Sequence, residues 1–241
     1  MTKTMGRLYQ MMMSRRDDSQ VTVLSRFFKT GKGQYGEGDR FLGIKVPVTR
    51  AVVKEYVKGE VIIDEIEECV TSEYHEMRMA GLQTLVWLYK KNRKNESQRK
   101  WCVDYYLAHL RWVNNWDLVD LSCYDIVGDW LLTHDRRLLY DLVLKGKTIW
   151  EQRVGIVSTM AFVRAGQLDD TYDIAEIFLN KDERLHDLLQ KAVGWLLREA
   201  GKRDAQRLKA WLESRCKTMP RTMLRYAIEK FSKEERLSFM K

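Results

Sequence analysis

Apolar residues recur along this chain at intervals of three and four, and no segment alternates apolar with polar positions as a half-buried strand would. The spacing predicts helices over roughly 3–14, 19–30, 48–58, 61–71, 73–92, 96–111, 115–132, 135–145, 149–165, 170–179, 184–200, 204–216 and 220–231. Only two prolines are present, and Pro47 and Pro220 both fall where first-turn prolines belong. The connections are short and polar, as between antiparallel helices packed in pairs. A single all-α domain over residues 1–241 is expected.

One connection departs from this pattern. Residues 31–43, GKGQYGEGDRFLG, carry five glycines and read as a long mobile link. The segment lacks the GK[ST] ending of a phosphate-cradling loop. Its simplest role is a flexible linker; a sharper one lets its backbone N–H groups with Lys32 or Arg40 touch phosphates.

Three helices share an internal pattern. EMRMAGLQTLVWL, EQRVGIVSTMAFV and LQKAVGWLLREAG each carry a basic residue near the start (Arg78, Arg153, Lys191), then small residues, then an apolar tail. Arg78 and Arg153 lie 75 positions apart, about twice the 38 between Arg153 and Lys191, so a middle copy falls near residue 115. A looser copy, TMLRYAIEKF, places Arg225 34 residues after Lys191. Such a period in paired helices is the signature of an α-solenoid of HEAT-like repeats. Stacked repeats bring equivalent positions to one surface, so Arg78, Arg153, Lys191 and Arg225 are expected along one concave groove suited to a nucleic-acid backbone. The plainer alternative is a set of solvated charges at helix starts.

Charge gives the groove some support. The net charge is +8, with +6 in residues 1–50, −4 in 51–144 and +6 in 145–241. Basic ends favour a polyanionic partner, though a soluble basic surface would look the same. Cys69, Cys102, Cys123 and Cys216 make no CxxC pair, and the four histidines make no HxxxH pair, so neither a zinc ribbon nor another local metal site is expected. No stretch approaches the roughly 20 apolar residues of a membrane span, and the N-terminal apolar run is too short for a signal peptide. A cytoplasmic protein without cofactor is expected.

The middle copy, VNNWDLVDLS (113–122), carries the most unusual chemistry. In a helix over 115–132, Val119, Cys123, Ile126 and Trp130 form a core stripe. Trp116 and Asp120 are four apart, share a face beside that stripe, and should be half-buried. Asn114 and Asp117 have capping-box-like spacing, while Asp125 and Asp129 fall on the far side and read as solvated. Asp120, near a predicted helix N-terminus whose dipole favours an anion, is either an ordinary carboxylate satisfied by an arginine or a lone anion in a cationic groove. Trp195 is equally ambiguous. Leu188, Ala192 and Leu196 suggest a core indole, whereas Lys191 and Arg198 on its own face suggest a nucleic-acid-facing one.

These residues carry a resemblance. RFLGIKVPVTRAVVKEY (40–56), VNNWDLVDLSCYDIVGDWL (113–131), IWEQRVGIVSTM (149–160) and LQKAVGWLLREAGK (189–202) resemble, in order and spacing over roughly 5–230, the signatures of the AlkD-type DNA alkylation-repair glycosylases, an all-α family of HEAT-like repeats. The resemblance implies hydrolysis of the N-glycosidic bond of cationic N3- or N7-alkylated purines in double-stranded DNA, a base-excision repair activity. It implies Trp116, Asp120 and Trp195 as the aromatic cleft and catalytic carboxylate, and Arg153 as a holder of the DNA backbone. Lys191 and Arg198 join them through helix-face geometry, and Arg78 and Arg225 through the repeat. A monomer is expected, since the groove must accept DNA.

The implied chemistry is self-consistent. Breaking a glycosidic bond develops oxocarbenium character, which a fixed carboxylate stabilises; the usual second carboxyl group protonates the leaving group. A cationic alkylpurine already leaves as a neutral base, so Asp120 alone would suffice, with the indoles holding the deoxyribose. Two alternatives stay open: a catalytically silent solenoid that only binds DNA, and a scaffold that docks a protein partner.

Overall fold

The computed structural model describes residues 5–181 and 184–241, so the first two positions of the expected 3–14 helix lie outside the described residues. The chain is all-helical, and no strand occurs among the described residues; a lone bridge joins Arg40 to Tyr74. The backbone divides into two compact units, Met1–Ser122 and Cys123–Lys241.

The first unit contains α1 (Arg7–Met13), α2 (Asp18–Phe27), α3 (Val46–Tyr56), α4 (Ile63–Val70), α5 (His75–Lys91), α6 (Glu96–Ala108), a 3₁₀ turn (Leu110–Trp112) and α7 (Trp116–Asp120). Its core joins Leu8 and Met12 of α1, Leu42 and Ile44 of the loop between α2 and α3, Val52, Val53 and Tyr56 of α3, Cys69 of α4, and Met77 and Ala80 of α5. Helix starts are set locally: Asp17 caps α2 through the Ser19 N–H and Asn95 caps α6 through the Gln98 N–H.

The second unit contains a π-helical turn (Tyr124–Gly128), α8 (Asp129–Leu131), α9 (Arg137–Lys145), α10 (Ile149–Ser158), α11 (Met160–Arg164), α12 (Asp169–Leu179), α13 (Asp187–Arg203), α14 (Ala205–Glu213), α15 (Arg221–Ala227) and α16 (Lys233–Met240). Thr148 caps α10 and Asp204 caps α14. Ser232 and Glu235 form a reciprocal capping box at α16, a helix that apolar spacing did not reveal.

The repeated small residues have a packing role. Gly81 of α5 meets Val70 of α4, Gly155 of α10 meets Leu139 and Val143 of α9, and Gly194 of α13 meets the Met223 carbonyl of α15. In each case a Cβ would collide with the neighbouring helix. The pairs α4–α5, α9–α10 and α13–α15 therefore pack backbone-close, as HEAT-like helix pairs do. The basic residue lies two or three positions before the glycine, at the fourth position of α5 and the fifth of α10 and α13; Arg225 is likewise fifth in α15, and Asp120 takes the fifth position of α7.

Two predicted helices are broken. The 115–132 segment stops at Asp120 and restarts at Cys123; within the break the Ser122 hydroxyl donates to the Leu118 carbonyl (2.5 Å) and also meets the Tyr106 hydroxyl (3.1 Å). The 149–165 segment divides at Thr159, whose hydroxyl donates to the Ile156 carbonyl (2.7 Å). The expected stripe of Val119, Cys123, Ile126 and Trp130 is buried all the same.

Candidate active site

In the first unit, Trp116 and Asp120 open and close the single turn of α7, one above the other, and both are half-buried. Asp120 thus ends a one-turn helix, so the N-terminal dipole expected to favour its carboxylate does not act on it. The cap also differs from expectation. Asn115, not Asn114, is the N-cap, its Oδ1 accepting the Trp116 N–H (2.9 Å). Asp117 is buried and turned inward: one oxygen accepts the Leu118 N–H and the other accepts from His75 (both 2.9 Å). Asp125 and Asp129, expected to be solvated, are half-buried.

His75, the first residue of α5, organises this region. Its Nδ1–H donates to Asp39 and its Nε2–H to Asp117, each at 2.9 Å, and all three side chains are buried. Burial alone would favour the neutral ring, but the Asp117 and Asp39 carboxylates override it and raise the His75 pKa to about 9. Both ring nitrogens can donate only in the imidazolium, so the geometry and the charge state agree. Asp39 also accepts from Arg78, and Asn115 Nδ2 donates to it at 3.3 Å. Burial would push the Asp39 pKa up, but His75 and Arg78 hold it below the ordinary carboxylate range. His75, Arg78, Asp39 and Asp117 together carry no net charge, which makes their joint burial tolerable.

The loop at 31–43 delivers Asp39 inward. Neither sequence reading of the segment, a mobile linker or a phosphate cradle, anticipated this buried role for Asp39; Lys32 stays exposed. Gly33, Gly38 and Gly43 all have positive φ, and the Gly36 N–H donates to the Lys29 carbonyl (3.1 Å). Arg40 pairs with Glu73 and lies over the Tyr74 ring. At Gly43 (φ 82°) a Cβ would strike the Asp17 carbonyl, so a side chain is excluded twice over. The N–H groups of Leu42, Gly43 and Ile44 then converge on the buried Glu76 carboxylate at 2.9, 2.9 and 3.0 Å. Burial raises the Glu76 pKa above its usual range, with these N–H bonds acting against the shift.

Aromatic rings support the indole of Trp116. Phe28 stacks on it (5.6 Å between centroids, 24°), and Phe27 meets it edge-on (6.0 Å). Phe28 in turn lies against His75 (4.7 Å) and stacks on Phe41 (5.2 Å), which stacks on His75 (4.8 Å).

The basic residues of the expected row divide into buried and exposed sets. Arg78 is 2% exposed and tied to Asp39 and the Ser72 carbonyl; Arg153 is 5% exposed and donates to the Leu188 carbonyl. Neither is the outward cation expected for phosphate contact; each bridges structure inside its own unit. Lys191 is partly exposed and pairs with Asp187 (2.7 Å), Arg198 pairs with Glu229 and Glu199, and Arg225 is exposed. Trp195 is half-buried and lines a cleft of about 510 Å³ with Met160, Arg164, Lys202 and Arg203 among its walls. Trp116, Asp120 and Arg78 belong to the first unit, and Arg153, Lys191, Trp195, Arg198 and Arg225 to the second.

Sequence reasoning missed Asp39, His75, Glu76 and Phe28. The only local sign was an aspartate directly before the RFLGIKVP signature. The three buried cysteines and the half-buried Cys216 are free thiols. No set of three His, Cys, Asp or Glu among the described residues could hold a metal ion, and none of their helices is long and apolar enough to cross a membrane.

No curated protein matches the chain. A solved structure described as a predicted DNA alkylation repair enzyme from Enterococcus faecalis matches with a TM-score of 0.67 at 17% identity, over 91% of this chain and 98% of that one. It shares the fold. The family model for DNA alkylation repair enzymes matches residues 9–231, nearly the whole chain, and the protein therefore belongs to the DNA alkylation repair enzyme family.

Proposed function

We propose that this protein is a DNA glycosylase that hydrolyses the N-glycosidic bond of cationic N3- or N7-alkylated purines in double-stranded DNA, acting as a monomer over residues 1–241. The observation that carries the proposal is the Trp116–Asp120 turn. An indole and a carboxylate are stacked on one short helix, both accessible, within a chain whose family is that of DNA alkylation repair enzymes.

Asp120 stabilises the sugar cation as the bond to the purine lengthens, and it positions the attacking water. The leaving base starts as a cation and departs neutral, so no proton donor is needed. Trp116 offers its π face to the electron-poor sugar and to the cationic lesion, and the Phe28 stack fixes the plane of that face. Trp195 offers a second aromatic surface on its own unit, in a cleft bearing Arg164, Lys202 and Arg203. Lys191 and Arg225 are the exposed or partly exposed cations assigned to phosphate contact, with Arg198, largely buried and paired with Glu199 and Glu229, beside them, and the net charge of +8 favours such a partner.

The test is incubation with methylated duplex DNA, followed by chromatography of the released material. Free N7-methylguanine or N3-methyladenine supports the proposal. Salt-dependent DNA binding with no base released would instead identify a silent DNA-binding member. Negligible DNA affinity at low salt would point to a protein-docking scaffold.

A further inference from the structure

We infer that His75, held between Asp39 and Asp117, is a positioning residue that fixes the orientation of the Trp116–Asp120 turn. This inference rests on the glycosylase reading for its kinetic consequence, but its structural part can be measured without it.

His75 reaches the turn by two routes. Through Nε2 it holds Asp117, the residue after Trp116 and three before Asp120. On a single-turn helix, fixing the carboxylate of the second residue fixes the roll of the whole turn, and with it the direction of the side chains at either end. Through its ring face it backs Phe28 and Phe41, and Phe28 is the ring on which Trp116 stacks. A third strand of the network enters through Asp39, which takes the other His75 nitrogen and the Asn115 side-chain amide. Asn115 caps the turn. The turn is thus held by its cap, by its second residue and by its indole, and all three supports meet at His75 or at Asp39.

A short helix needs such support. Five residues make too few internal hydrogen bonds to define an orientation. Its helical backbone ends at Asp120, followed by a turn at Leu121 and Ser122. The charged groups facing His75 are Asp39 from the loop, Asp117 from α7, and Arg78 and Glu76 from its own helix; Arg78 meets Asp39 and Glu76 is taken up by the Leu42–Ile44 N–H groups. The two ring nitrogens reach one oxygen of each carboxylate from opposite edges of the ring, and a glutamine amide, whose two N–H groups share one nitrogen, cannot span both.

The experiment compares the full-length protein with His75→Gln. Single-turnover base release should fall about 10- to 100-fold, as expected for a catalytic group displaced by a fraction of an ångström to one ångström. Affinity for undamaged duplex should change less than about twofold, and amide exchange of Trp116–Asp120 should accelerate about tenfold while the α9–α10 pair is unaffected. In an Asp120→Asn background the same substitution should cost little more, because both act on one step. Unchanged release and unchanged exchange in the turn would overturn the inference, as would a fall in DNA affinity that matches the fall in rate. If wild-type protein releases no base, the glycosylase reading fails, and the exchange pattern alone decides whether His75 holds the turn. If His75→Gln does not fold, Asp39→Asn, which keeps shape but loses the Arg78 ion pair, takes its place with the same expected changes.

Discussion

The buried imidazolium has a consequence for stability that can be worked out in advance. An unperturbed histidine titrates near 6.5, whereas His75 in the fold titrates at about 9. A group whose pKa is raised by folding stabilises the fold fully below its unfolded value and loses that contribution as pH climbs through its folded value. The gap corresponds to about 3 kcal/mol, fully present below about pH 6.5 and mostly gone by about pH 9. This is a large share of the 5–15 kcal/mol roughly typical of a folded protein. In His75→Gln the contribution is absent at every pH, and Asp39 and Asp117 lose their shared counter-ion, a loss of about 3–5 kcal/mol for a broken buried pair. Urea unfolding followed by circular dichroism at pH 6, 7.5 and 9 measures both proteins. The wild type should lose stability across this window much faster than the variant, so the difference between them narrows by about 3 kcal/mol. Parallel pH dependences would show that His75 is not charged in the fold and would refute the proposed double-donor geometry.

Three further outcomes are expected. Gly194→Ala forces a Cβ against the Met223 carbonyl and should destabilise the second unit by about 1–3 kcal/mol, read as a lowered urea midpoint or Tm. Asn115→Ala removes the cap of α7 and its bond to Asp39 and should cost about 1 kcal/mol, with base release reduced more than global stability implies. Lys191→Ala should weaken binding to all duplexes alike and reduce the slope of log affinity against log salt by about one, whereas Arg78→Ala should leave that slope unchanged and lower stability instead.

The helical architecture was legible because one apolar face repeats on nearly every segment. The repeat was legible because a small residue must follow the basic one where helix backs meet; Gly81, Gly155 and Gly194 are the physical content of that pattern. The breaks after Asp120 and at Thr159 were not legible. Apolar periodicity runs through both, and a hydroxyl bonded back to a carbonyl is found at each break but also inside the unbroken α5, at Thr84, so neither signal marks the stop. The last helix carried its signal in a Ser-x-x-Glu start rather than in apolar spacing. Trp116 and Asp120 were found as a half-buried pair on one face, which needs only the four-residue offset. The fate of the arginines was hidden, since it depends on partners far along the chain: Asp39 for Arg78 and the Leu188 carbonyl for Arg153, 39 and 35 positions away. For the same reason the loop at 31–43 looked like a linker. Nothing local shows that Asp39 will be buried between a histidine and an arginine.

The central claim is that Asp120 stabilises the sugar cation that forms as the glycosidic bond to a cationic base breaks. Single-turnover release from a duplex bearing one N7-methylguanine measures it most directly, with duplex affinity determined in parallel for wild type and Asp120→Asn. The account predicts first-order release of free N7-methylguanine by the wild type, and release slowed by about 100-fold or more in the variant at equal affinity. Equal release by the two proteins, or no release by the wild type under conditions where it binds the duplex, would contradict it.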